Sequence, residues 1–81
     1  MSKFKIVANR TKLWAFFDAD PDKGVIGYGD SPSTLKPMIT ASEDVRDDIF
    51  IPMAQHIAEQ TGKKIVMVQY HAGEAMQEFK P

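Results

Sequence analysis

The chain contains no cysteine in its 81 residues. Disulfides and thiolate metal sites are therefore excluded, and a reducing cytosol is the expected compartment. Histidine is scarce too. His56 and His71 are each followed three residues later by an acid, Glu59 and Glu74. Two such residues fall short of the three or four convergent ligands that zinc requires. Long hydrophobic runs are missing: the apolar stretch at 65–68 is far too short to cross a bilayer, and no signal-type apolar core opens the chain. The expectation is a cytoplasmic, soluble domain without a membrane partner.

A surplus of positive charge is also lacking. Net charge is −1, and the charges are segregated: residues 1–17 carry +4, residues 18–48 carry −5, and the remainder balances. Phosphate binders show a clear basic excess. A nucleic-acid module built on the basic first strand and the hairpin aromatics is accordingly the alternative reading rather than the leading one.

Catalytic and cofactor motifs are missing as well. Ser31, Ser33 and Ser42 sit in turn or cap contexts without a nucleophile elbow, and Gly27-x-Gly29 lacks the third glycine of a phosphate loop. Asp18-x-Asp20-x-Asp22 opens like a calcium loop, yet Lys23 and Gly29 occupy its sixth and twelfth positions, where glycine and a bidentate acid belong. A solvated turn is the simpler reading. No enzyme, no metal and no cofactor are expected.

What the chain does have is hydrophobic periodicity. Residues 3–9 alternate as a half-buried strand, and 13–18 form a second. Pro21 sets φ at the second position of a tight turn, Asp20 accepts its N–H groups, and Gly24 supplies the left-handed residue that starts the returning strand, 24–29. Gly27 and Gly29 suggest a bulge or a close backbone approach. Residues 30–38 read as an irregular connection, with Ser31-Pro32 able to start one helical turn.

The main helix opens near Thr40–Ser42, with Thr40 and Glu43 spaced as a capping box. Val45, Ile49, Met53 and Ile57 recur every fourth residue as its apolar stripe, and Thr61-Gly62 ends it. Pro52 removes one N–H and crowds the Asp48 carbonyl, which predicts a kink. Residues 65–70 are apolar on both faces and read as a buried strand inside the sheet, beside the first. A short helical tail is expected over 74–79. The predicted fold is a single α+β domain over 1–81: a three-stranded antiparallel meander, one kinked helix, and a returning fourth strand in the same sheet.

One helix covers one sheet face. The second strand, however, is apolar on both sides, with Trp14 and Phe16 on one and Leu13, Ala15 and Phe17 on the other. The uncovered face needs the tail (Ala75, Met76, Phe79), a second copy of the chain, or another protein. Trp14, Phe16 and Tyr28 are the candidate docking aromatics, since Trp and Tyr dominate binding hot spots. Asp20 and Asp22 at the hairpin tip, with Asp47 and Asp48 beyond the helix start, are the candidate acidic contacts for a basic partner.

The run Val25-Ile26-Gly27-Tyr28-Gly29-Asp30-Ser31-Pro32-Ser33, after two strands and before a helical region, resembles the G-x-G-[DS]-[ST]-P step of HicB-like antitoxins and related small phage proteins. Leu35-Lys36-Pro37 stand where that family opens its helix. The resemblance implies a truncated RNase H-like β-β-β-α-β unit and a non-catalytic protein that neutralises a partner, often encoded by a mobile element. The leading expectation is a protein-binding module of inhibitor or antitoxin type; a homodimeric structural domain is a further alternative.

Overall fold

A computed structural model describes residues 11–71 and 73–81. The strand expected over 3–9, and with it any pairing to that strand, lies outside the described residues.

Strand β1 (Lys12–Asp18) is the axis of the fold. Its apolar run, Leu13 to Phe17, is continuous, and it is paired along both edges. The hairpin turn that follows forms as its residues dictate. Asp22 N–H donates to Asp20 Oδ1 at 3.0 Å, Lys23 N–H closes the turn onto the Asp20 carbonyl at 3.0 Å, and Gly24 takes φ +90°. The return leg pairs with β1 only briefly. Asp18 N–H reaches the Gly24 carbonyl, Ile26 N–H reaches the Phe16 carbonyl, and Phe17 bridges Val25. It then peels away as β2 (Gly27–Tyr28), which pairs antiparallel with β3 (Lys36–Pro37) in a separate two-stranded sheet. A single 3₁₀ turn, Pro32–Thr34, connects the two, with Ser31 at its cap.

The chain regains β1 at β4 (Ile39–Thr40), opposite Ala15 and Trp14. The expected meander is thus interrupted, because Gly27 and Gly29 release the hairpin early. Gly29 adopts φ +154°, and a Cβ built there would lie 2.6 Å from the Thr34 carbonyl oxygen. The close approach anticipated from the glycines is real and holds the small sheet together.

The helical region runs through 43–61 in three joined pieces. Ser42 is the N-cap, with its Oγ accepting from Val45 N–H at 3.2 Å; its own N–H donates to Thr40 Oγ1. After the turn α1 (Glu43–Val45), residues Arg46–Phe50 form a π turn, closed by Ile51 N–H on the Arg46 carbonyl, and α2 (Ile51–Thr61) follows. Pro52 explains the wide turn. Proline cannot donate to the helix ladder and its ring crowds the preceding turn, so one extra residue per turn makes the room it needs. The helix continues past the proline instead of breaking. Gly62 ends it, its N–H returning to the Ala58 carbonyl at 2.9 Å.

Strand β5 (Ile65–His71) completes a sheet of order β4-β1-β5. It is antiparallel to β1 along seven residues, from Lys12 opposite His71 to Asp18 opposite Ile65. Both β4 and β5 run against β1, so the helix makes a crossover between parallel strands with β1 between them. Among the described residues β5 pairs with β1 alone and is mostly exposed. The neighbour expected on its other side, the strand over 3–9, lies outside the described residues.

The core lies between β1 and the helix. Phe16, Met38 and Phe50 are buried at its centre, ringed by Ile26, Tyr28, Val45, Met53, Ala54, Ile57 and Ile65. The Phe50 ring meets Phe16 edge-on at 5.9 Å and Tyr28 at 5.5 Å, the T-shaped geometry that ring quadrupoles favour. Residues 73–81 carry no regular structure, so the expected helical tail is not formed.

Candidate functional site

Strand parity decides which rings are available. Trp14 and Phe16 point to the helix side and are each 2% exposed. Trp14 is held from three directions. Its indole Nε1–H donates to Gln69 Oε1 at 2.8 Å, the Arg46 guanidinium stacks 4.4 Å above its ring, and Thr40 flanks it on β4. Gln69 in turn donates from Nε2 to His71 Nε2. Since the indole is donor-only, its partner on Gln69 is the amide oxygen, which leaves the amide nitrogen toward His71. Trp14 and Phe16, read from sequence as docking aromatics, are therefore core residues closed to a partner. Tyr28 is half-buried against Phe50.

The expected acidic contacts are not brought together. Asp20 and Asp22 sit at the hairpin tip, beyond the Asp18 end of β1. Asp47 and Asp48 lie on the helix near the opposite end, where Arg46 covers Trp14. Trp14 and Asp18 are four residue steps apart on β1, about 14 Å at strand rise. Asp47 is occupied: it takes Arg46 in a bidentate pair, Nε–Oδ1 2.7 Å and Nη2–Oδ2 2.9 Å. That hydrogen bond holds the Asp47 carboxyl below its ordinary value and Arg46 above its own. Asp48 is exposed.

Among the described residues, the other face of the sheet remains open. Leu13, Ala15 and Phe17 on β1 share it with Tyr70, Val68 and Val66 on β5, with Ile39 on β4, and with Val25 opposite Phe17. Leu13, Val25, Ile39, Val66 and Tyr70 are 38–49% exposed. Not one of the eight is charged. The tail leaves this face bare, with Met76 96% and Phe79 88% exposed. The seven-residue pair β1–β5 spans roughly 24 by 10 Å, and with the two-residue β4 and Val25 alongside the patch is on the order of 300 Å². That is the size at which an exposed apolar patch on a small protein usually has a role.

Sequence reading found Leu13, Ala15 and Phe17 as a second face. It missed Val25, Ile39, Val66, Val68 and Tyr70 as members. Both faces of 65–70 read as apolar, and only the register with β1 shows which residues point this way.

Concave features elsewhere are shallow. A groove of about 250 Å³ runs between α2 and β5, lined by Ile51, Ala54, Gln55, Ala58 and Met67 over Phe16. Among the described residues, no three metal-binding side chains converge and no helix is long and apolar enough to cross a membrane. Comparison with protein-family models, with curated proteins and with solved structures yields no match.

Proposed function

We infer that this chain is a non-catalytic protein-binding module that receives a partner protein on the helix-free face of its sheet. One observation carries the reading: eight apolar residues of four chain segments form a single uncharged face that no described segment covers. Fully burying a side chain of this class stabilises a complex by about 1.5–3 kcal/mol. Two or three of them are enough to anchor an interface.

At on the order of 300 Å², the face is smaller than the ~800 Å² that each side of a standard interface buries. The partner must also engage the polar rim. Lys12 beside Leu13, Asp18 beside Phe17 and Lys23 near Val25 are the nearest charged groups along the chain, with exposed Asp20 and Asp22 at the hairpin tip. The most concrete form of the proposal is an inhibitor or antitoxin-type protein that covers its partner's working surface. Its support beyond the open face is the sequence resemblance over 25–33.

The test is capture of partners from host lysate by the native chain beside Leu13→Glu and Ile39→Glu. Both residues are more than a third exposed, so the fold should survive. A protein retained by the native chain and lost with both folded variants supports the reading. Equal capture by all three removes it.

A further inference from the structure

We propose that the π turn at Arg46–Phe50 is a register latch, set by Pro52, that holds the helix in one of two packings its sequence can form. The device lies on the helix side of the sheet and is independent of the face assigned above.

The helical region carries two overlapping apolar stripes. Counting every fourth residue, as a continuous α-helix requires, gives Val45, Ile49, Met53 and Ile57. The structure buries a different set. Phe50 is 4% exposed at the centre of the core, with Val45, Met53, Ala54 and Ile57 packed around it, whereas Ile49 is 49% exposed. The step from Val45 to Phe50 is one residue longer than an α turn allows. The π turn absorbs the extra residue, with Ile51 N–H closing on the Arg46 carbonyl.

Val45, Met53 and Ile57 belong to both stripes. Ile49 belongs only to the continuous one, and Phe50 and Ala54 only to the observed one. Neighbouring residues of an α-helix lie about 100° apart around its axis, so a roll smaller than that exchanges Phe50 for Ile49. The roll falls on α2, because the first turn is fixed from outside the helix. Ser42 N–H donates to Thr40 Oγ1, Val45 reaches the core, and Arg46 stacks 4.4 Å over the Trp14 ring.

Each packing has its own support. The observed one sets the Phe50 ring edge-on against Phe16 and Tyr28. The continuous one takes Ile49 out of water and restores the regular ladder. Pro52 decides between them. In a continuous α-helix its ring would crowd the Asp48 carbonyl and leave that carbonyl without a donor, so the wide turn is the register that proline permits.

The absence of native cysteine lets thiol labelling read the register. With Pro52 in place, Ile49→Cys should react readily with a thiol reagent and Ala54→Cys slowly. Pro52→Ala restores the missing N–H. In that background Ile49→Cys should react about tenfold more slowly and Ala54→Cys about tenfold faster, since thiol reactivity follows exposure. The opposite signs report a roll, whereas loosening of the helix would quicken both. Circular dichroism establishes that each variant is folded, and Pro52→Gln repeats the test with a second good helix former. Any other pattern, including unchanged rates or rates that quicken together, overturns the proposal. A chain that cannot fold without Pro52 overturns it as well, because the second packing then does not exist.

Discussion

The indole N–H of Trp14 donates to the Gln69 side chain directly across the β1–β5 pair, at 2.8 Å. One hydrogen bond thus ties β1 to β5 on the helix side of the sheet, under the Arg46 guanidinium. It turns the largest aromatic of the chain from a candidate contact into an interior strut.

Trp14→Ala should therefore cost about 3–5 kcal/mol of stability, as large-to-small changes in a core do. Trp14→Phe keeps most of the volume but strands the Gln69 oxygen, at about 1 kcal/mol. Urea titration of the two variants checks both values. A loss under about 1 kcal/mol for Trp14→Ala would show that the ring is not buried as described.

Gly29→Ala should destabilise the β2–β3 sheet by more than about 2 kcal/mol, because the new methyl meets the Thr34 carbonyl at 2.6 Å in a backbone conformation L-residues avoid. Gly24→Ala shares the positive φ but meets nothing within 4 Å. It should lose only the backbone term, about 1 kcal/mol. Thermal denaturation of the two variants separates steric clash from backbone preference.

The Arg46–Asp47 pair carries a pH signature. Asp47 titrates below its ordinary value because it accepts from Arg46. A carboxylate with a depressed folded pKa contributes stability that is fully present above the unfolded value and lost as pH falls through the folded one. Native protein should exceed Asp47→Asn in stability at neutral pH, and the gap should close below the ordinary carboxylate range. Denaturation midpoints against pH measure it. A gap that persists in strong acid would remove the pair as its cause.

Partner binding on the open face should fall only shallowly between low and high salt, since the face itself carries no charge and exposed rim pairs are worth little. Phosphate contacts would give affinity that falls steeply with salt. A steep slope in titrations at several ionic strengths would favour the nucleic-acid alternative over protein docking.

Much of the architecture was legible in the chain because it rests on local rules. The hairpin turn follows from Asp20, Pro21 and Gly24, and the helix end from Gly62. The two long strands follow from short, continuous apolar runs at 13–17 and 65–68 bounded by turn residues. The response to Pro52 was legible only in kind: the sequence shows a missing donor, and packing chose a widened turn over a break.

Composition and spacing by themselves determined a cysteine-free α+β unit with one helix, a hairpin, and more apolar strand surface than that helix can shelter. Tertiary structure alone decided which surface is left over. Side-chain direction in a strand has period two, so a register settles inside and outside for every residue at once. The pairing of Ala15 with Val68 and Ile39 sends Trp14 and Phe16 beneath the helix, and leaves Leu13, Val66 and Tyr70 facing out.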